Sequence, residues 1–547
     1  MIRNRQILSE AVILAALFLL ICALVILALV PPISKDALIH HLAVPKLYLR
    51  HGGFYEIPGM PFSYYPMNLD LLYIIPLYFG NDIVPKLIHF IFALLTAGLL
   101  FGYLRRRLND LYALFGVVFF LSIPIIVKLS ITVYVDLGLI FFSTAALLLL
   151  LKWLESRFQL RFLILSAVSC GLAMGTKYNG LITFFLVTLF VPFLYSRFGE
   201  KKSHGLTRTV GFTCVFVFTA LLIFSPWMLR DYMWTGNPIY PLYDHWFNFH
   251  GHTARKSIGL FAYRALIYHE KWWEILLLPF RMFFQGQDGN PRLFDGKLNP
   301  FLLILPLFAF YRLKDDSQKI KTEKSVFLVF AGLYFAFAFF SSGLRIRYIS
   351  PIIPPLVILA VFGMRRLFDS FAEARSLPLK YGSKLSAVFL VLFALGLNAV
   401  YIHEQFAYVK PLSYISGNVT RDEYIEKYRG EYPAMKFIND HLPSKARILF
   451  LFIGNRGYYC SRPYVFDMEN NKSKLATVFR ASHDLQDFKS RLKKEGITYL
   501  LINMDIFNRW ALKSFDPSHR DQLHLFFKRD LRRIYAKNGY GVFALVQ

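Results

Sequence analysis

Charged residues are scarce in this chain. They make up 18% of the 547 residues, against roughly 25% in an ordinary soluble domain, while 56% are hydrophobic and 17% aromatic. That deficit argues against a soluble cytosolic enzyme. Acids are scarcer still, 35 against 62 Lys and Arg, for a net charge of +27. In a soluble chain such an excess would point to nucleic acid. Here the basic residues fall in short clusters between apolar runs, so the excess reads as membrane topology, with no nucleic-acid partner. The four cysteines, Cys22, Cys170, Cys214 and Cys460, stand singly, which leaves neither a disulfide framework nor a CxxC metal site. No GxxxxGK[ST] motif and no glycine-rich strand-to-helix loop occurs, which argues against an NTP-driven pump and leaves a nucleotide-sugar site unsupported. Nor is there a repeat or an inverted duplication of the two halves, which weakens a secondary-transporter reading.

Long apolar runs are what the chain does have. Ala11–Ser34 contains no charge and exceeds the roughly 20 residues that cross a bilayer core. It is longer than a signal-peptide h-region and no small-x-small cleavage pattern follows it, so it reads as a retained anchor. Ten further runs lie at about 87–104, 111–127, 131–151, 162–176, 178–196, 209–229, 298–311, 325–344, 348–364 and 385–402. The sequence thus predicts an α-helical polytopic membrane protein with about eleven transmembrane helices. The short runs, 162–176 and 298–311, need tilt, flanking Tyr or Trp, or burial among neighbours. Arg3 and Arg5, Arg105–Arg107, Lys152 to Arg161, Arg197 to Arg208 (with Lys201 and Lys202), Arg312–Lys324 and Arg365–Lys384 all fall between alternate helix ends. The positive-inside rule puts them in the cytoplasm. The N-terminus is then inside an inner or plasma membrane, and loops 35–86 and 230–297 face outward with the C-terminus.

After Ile402 hydrophobicity drops and no spanning run remains, so residues 403–547 read as an extracytoplasmic soluble α/β domain beside a membrane domain of 1–402. Ile448–Ile453, Thr498–Asn503 and Gly541–Val546 have the composition of buried strands, with a helix at Leu485–Lys494.

Two acids draw attention on the outward side. Asp36 stands just beyond the first helix, ahead of an amphipathic stretch through Tyr48 that suggests a helix lying along the interface. Its plain structural reading is an N-cap. Asp136 sits in ITVYVDLGLIFF at the outer end of a span, where a carboxylate is costly and marks function by default. Its plain reading is a pair with Lys128 or Lys177. Two outward carboxylates, with Lys177, Arg230, Arg345 and Arg347 on the same side, would enclose an acidic lipid headgroup and supply a base.

The acid after the first helix, HLAVPKLYLRHGG and YPMNLDLLY, an Asp opening the fourth helix, GLAMGTKYNGL, SPWMLRDYMWTGNPIYP and RYISPIIPPL together resemble the GT-C glycosyltransferases over roughly residues 1–402. These polyprenyl-phosphate-sugar-dependent membrane enzymes include protein mannosyltransferases and lipid A aminoarabinose transferases. The resemblance implies that Asp36 is the base that deprotonates an acceptor hydroxyl and that Asp136 shapes the acceptor or metal site. It offers Lys177, Arg230 and Arg347 to the donor phosphate, where a Lys at a helix end has snorkelling as its plain alternative. Many relatives carry a second acid directly after the first; this chain has Ala37.

His40, His41 and His51 raise a metal reading, because Asp36 and His40 are spaced to share a helix face. Two ligands do not complete a site, and an interfacial His pair is more often packing or hydrogen bonding; no cofactor is assigned, a divalent metal at Asp36 and His40 remains a candidate only, and His40 and His41 are also candidates for substrate contact. KWWE at 271–274 echoes the WWD of oligosaccharyltransferases, with Glu274 in place of Asp, and an aromatic interface belt accounts for it better. Ile275–Gln285 is too short to span and reads as re-entrant or interfacial. The reading that follows is a glycosyltransferase of the cell envelope. It moves a sugar from an undecaprenyl-type monophosphate carrier to a hydroxyl of a glycan, lipid or protein, with inversion. The alternatives are a translocator of lipid-linked oligosaccharide, and a polysaccharide polymerase or ligase with a diphosphate-linked donor.

Overall fold

The computed structural model describes residues 2–199, 205–248, 259–339, 343–372, 377–469 and 472–546. Lys201 and Lys202, placed above in a cytoplasmic loop, lie outside the described residues, as does part of the predicted outer loop 230–297.

The chain divides into two compact units: Met1–Leu29, Tyr64–Leu72 and Val84–Pro411 in the first, Val30–Ser63, Tyr73–Ile83 and Leu412–Gln547 in the second. The division differs from the expected one at 402/403. The last long helix, Leu377–Val409, runs past Ile402 before the chain turns. Most of the first loop belongs with the C-terminal segment.

The first unit is helical and makes this a multi-pass membrane protein. Among the described residues eight helices are long and apolar enough to span, Leu8–Ala28, Val84–Arg107, Asp136–Glu155, Gly180–Phe198, Gly205–Thr235, Gln318–Phe339, Ile346–Ser370 and Leu385–Val409. The other three expected spans are also helical but short or broken. Asp110–Ser122 and Pro124–Ser130 form one apolar path bent by 67°. Pro124 explains the bend, since it has no N–H to give and excludes Ile123 from the helical region; Ile123 has ψ 130. Leu160–Thr176 stops where Lys177 becomes extended. Phe301–Phe308 carries Pro306 and is the shortest.

Two glycines allow the close approaches on which this unit depends. A Cβ on Gly138 would fall 2.5 Å from Leu69, and one on Gly363 would collide with the Leu305 carbonyl. The first lets the start of Asp136–Glu155 pack tightly; the second joins Phe301–Phe308 to Ile353–Ala372.

The second unit is built on a five-stranded sheet. Its strands are β1 (Ile448–Leu451), β2 (Tyr464–Phe466), β3 (Tyr499–Asn503), β4 (Leu531–Lys537) and β5 (Tyr540–Leu545), in the order β2-β1-β3-β5-β4. β1 pairs parallel with β2 and β3, while β5 is antiparallel to β3 and β4. Leu449, Leu451, Leu500 and Ile502 meet Phe488 and Leu492 of helix Leu485–Lys494 and Phe526 in one core. The irregular backbone that follows the first span has carbonyls in need of donors. Tyr459 donates its hydroxyl to the Pro32 carbonyl at 2.7 Å, Arg429 donates to that of Ile33, and Tyr458 N–H to that of Leu38 at 3.2 Å. These bonds hold the first loop in the C-terminal unit.

Candidate active site

In the first unit the site is built around Asp136. This residue opens helix Asp136–Glu155, where the positive helix end favours a carboxylate. Its side chain is fully buried. Lys177, in the break between Leu160–Thr176 and Gly180–Phe198, donates its ammonium to Asp136 Oδ1 at 2.6 Å. Of the two partners expected for Asp136 the pair is therefore made by Lys177. Lys128 goes instead to Asp288 at 3.0 Å and Asp295 at 3.2 Å. Oδ2 of Asp136 is buried with no hydrogen-bond partner among the described residues.

His89 supports this helix start and did not stand out in the sequence. It is fully buried in Val84–Arg107. Its Nε2 accepts the Leu137 N–H at 3.0 Å, and Nδ1 lies 3.0 Å from both the Leu129 and Thr132 carbonyls. An acceptor at Nε2 and carbonyls at Nδ1 define the neutral tautomer protonated at Nδ1. The imidazole thus satisfies one of the open N–H groups of the helix that carries Asp136. An ionisable residue within a span was the signal that could have found it.

Two aromatic rings draw the basic residues in. Lys177 lies over the Tyr348 ring at 5.1 Å, and Arg347 lies over Tyr134 at 5.0 Å and Tyr348 at 5.3 Å. Arg347 is buried at 8% exposure and also acts electrostatically on Asp136. Cations held over ring faces in a dry site are worth about 2 kcal/mol, more than at the surface. Asp136, Lys177 and Arg347 therefore form one cluster. Arg345 is elsewhere: it reaches Asp295 at 3.4 Å and is 31% exposed.

Arg230, on helix Gly205–Thr235, makes a second cluster that Tyr178, the residue after Lys177, joins. Its guanidinium donates to Asp231 Oδ1 at 2.6 and 2.9 Å and to the Tyr64 carbonyl at 2.5 Å, between the rings of Trp227 at 4.6 Å and Trp234 at 5.0 Å. Tyr178 donates to Asp231 Oδ2 at 3.0 Å and to the Tyr240 carbonyl at 2.7 Å. Burial, reinforced by the Asp231 charge, raises the Tyr178 phenol, which stays a neutral donor. Arg230 is thus largely committed to the protein, with Nη1 left unpartnered. Near it Asn68 accepts from Trp227 Nε1 at 2.8 Å.

Asp36, His40 and His41 belong to the second unit. Asp36 precedes a five-residue π-helix, Ala37–His41, and its side chain makes no cap hydrogen bond. The capping reading therefore does not account for it. The amphipathic helix expected to run from Ala37 through Tyr48 is two pieces, that π-turn and Ala43–His51. π-Turns are rare and recur at functional sites. His40 stacks on Phe62 with centroids 4.5 Å apart and lies against His41 at 3.9 Å, and His51 lies tilted against Tyr55 at 4.2 Å. Among the described residues no three His, Cys, Asp or Glu side chains are grouped to hold a metal.

The KWWE stretch does two ordinary jobs. Trp272 and Trp273 are exposed, and the Glu274 carboxylate accepts from the Lys271 N–H at 2.8 Å. The following segment is two short helices, Trp272–Leu276 and Leu278–Phe284.

Comparison with known proteins identifies the fold. The profile of the dolichyl-phosphate-mannose-protein mannosyltransferase family matches residues 57–236. None of the curated protein sequences matches the chain. Among solved structures, ArnT from Cupriavidus metallidurans in the apo state has a TM-score of 0.58 at 15% identity, over 99% of this chain and 98% of that one. The same enzyme bound to undecaprenyl phosphate gives 0.58 at 16% identity over 99% and 98%. The archaeal oligosaccharyltransferase AglB from Archaeoglobus fulgidus, in complex with an inhibitory peptide and a dolichol-phosphate, gives 0.53 at 12% identity over 98% and 74%. The chain has the GT-C fold of membrane glycosyltransferases, as its motifs suggested.

Proposed function

We propose that this protein transfers a sugar from a polyprenyl monophosphate carrier, of the undecaprenyl type, to a hydroxyl of a glycan, lipid or protein acceptor at the outer face of the membrane. The N-terminus is then cytoplasmic and the C-terminal segment extracytoplasmic. The observation that carries the reading is the buried Asp136–Lys177 pair with Arg347 beside it and one Asp136 oxygen unpartnered. A buried carboxylate oxygen without a donor is costly, and an acceptor hydroxyl would satisfy it. The likeness to ArnT, which has been solved with undecaprenyl phosphate, supports the carrier class.

In this reading Asp36 takes the proton as the acceptor oxygen attacks the anomeric carbon. The new C–O bond forms as the bond to the carrier phosphate breaks, so the configuration inverts and the leaving phosphate keeps the electron pair. Lys177 spends one donor on Asp136 and retains two, and Arg347 offers a planar fork suited to phosphate oxygens. His89 holds the helix that aims Asp136.

Mass spectrometry of outer-surface glycans and lipids from a deletion strain tests this. One acceptor should lack a single sugar, restored by the wild-type gene and not by Asp36→Asn. Unchanged glycans and lipids would remove the proposal.

A further inference from the structure

Two cations in the second unit have, among the described residues, no acid within ion-pair distance. Lys46 and Arg50 stand one turn apart on helix Ala43–His51, a spacing at which like charges repel. Lys46 donates to the Tyr458 carbonyl at 2.6 Å and lies over that ring at 4.9 Å; Arg50 makes a long bond of 3.4 Å to the Cys460 carbonyl. Among the described residues neither has a carboxylate within ion-pair distance. The nearby acid, Asp82, is taken by Arg421 at 2.5 Å and by the Tyr458 hydroxyl at 3.2 Å. Near the C-terminal end of a helix Arg50 is accounted for by the dipole. Lys46 is not, and burial together with Arg50 pushes its ammonium down to about 8.

Both cations line a cavity of about 580 Å³ whose other walls include Tyr48, Phe54, Leu77 and Tyr78. Beyond Gly52 and Gly53 in the same wall there is open space. Its rim is aromatic and exposed, Phe54 at 58% and Tyr78 at 74%, and the chain enters the span Val84–Arg107 six residues after Tyr78. An exposed Tyr a few residues before a span begins is the kind of residue found at the headgroup level of a bilayer. A cavity with apolar walls and two cations that have no carboxylate within ion-pair distance among the described residues is complementary to an anion carried on an apolar body.

We propose that Lys46 and Arg50 form a binding site for the headgroup phosphate of an anionic amphiphile at the membrane surface. None of the lining residues belongs to the Asp136 cluster. The site does not depend on the transferase reading, because its test measures lipid retention and not sugar transfer. The same phosphate chemistry could come from a bilayer phospholipid or from free phosphate, and the arms of the test separate them.

Native mass spectrometry of the purified full-length protein, titrated with phosphatidylglycerol, phosphatidylcholine or inorganic phosphate, reads the site directly. Phosphatidylglycerol should be retained, phosphatidylcholine less so, and retention should fall about tenfold or more for Lys46→Gln and again for Arg50→Gln. Lys46→Arg should keep it. Saturation by inorganic phosphate alone would overturn the amphiphile and leave a simple phosphate site. Equal retention of phosphatidylglycerol by wild type and the double variant would overturn the site itself. Should the double variant fail to fold, Arg50→Gln decides alone, because Arg50 is exposed and gives up only the long 3.4 Å bond to the Cys460 carbonyl.

Discussion

Lys177 and Asp136 come from helix ends 41 positions apart in sequence and meet at 2.6 Å, with Asp136 wholly shielded from solvent. Removing one partner strands the other, which costs about 3–5 kcal/mol for a buried pair. Lys177→Met and Asp136→Leu should each lower the melting temperature more than the double variant Lys177→Met/Asp136→Leu does. A double variant as unstable as the sum of the singles would show that the pair contributes no coupling. Transfer should be lost in all three, including the double variant with restored stability.

Asp36→Asn tests the base with the capping role set aside, because the native side chain makes no cap bond. No part of any stability change is then a lost cap, typically roughly 1 kcal/mol, and the melting temperature is read beside turnover. Turnover should fall by roughly 10²–10⁴ if this carboxylate is the base. Near-native transfer by purified Asp36→Asn protein would assign the proton to another group.

Arg345 and Arg347 stand two residues apart yet meet different surroundings. Arg345 has a partly exposed partner in Asp295, and such pairs are worth about 0–1 kcal/mol. Arg347 is buried over Tyr134 and Tyr348. Arg347→Ala should raise the donor Michaelis constant strongly, Arg347→Lys less, and Arg345→Ala little, since Lys supplies charge but no bidentate fork. Equal small effects at both positions would make Arg347 a headgroup anchor.

His89→Gln tests a positioning role. Gln offers an amide oxygen but a different reach, so the Leu137 N–H should lose its acceptor, at about 1–3 kcal/mol for a buried group. If His89 acts only through the Asp136 helix, the turnover number should fall while the donor Michaelis constant holds. A variant with normal turnover and reduced melting temperature would limit His89 to stability.

The apolar runs were legible because a bilayer imposes a length and a composition on each span. All eleven became helical, and the three that are short or broken differ at Pro124, at Lys177 and at Pro306, where backbone chemistry overrides hydropathy. β1, β3 and β5 were legible as dense apolar runs. β4 was not, because Leu531–Lys537 is an edge strand whose charged, exposed residues are what protects an edge from pairing. β2 is three residues long and carries too little pattern. Asp36 and Asp136 stood out by type and position. His89 and Asp231 did not, since their roles exist only once Leu137 and Tyr178 are brought to them across the fold. The attachment of the first loop to the C-terminal segment was equally hidden: carbonyls such as those of Pro32 and Ile33 have no signature in sequence.

Lys46 gives the protein two pH dependences of opposite sign. Its ammonium titrates near 8 in the fold, with Arg50 beside it and Cys460 and Asp82 nearby, and near its ordinary 10.5 when unfolded. Between these values the unfolded chain binds more protons, so lipid-free stability should rise with pH relative to a Lys46→Met variant. Anion retention should move the other way. A phosphodiester is fully ionised throughout, so only the loss of the Lys46 charge changes the attraction, and phosphatidylglycerol should release as pH climbs through about 8. Arg at this position cannot deprotonate, and Lys46→Arg should hold the lipid over the same range. Retention by wild type that is flat from about pH 7 to about pH 9 would remove Lys46 from the phosphate contact.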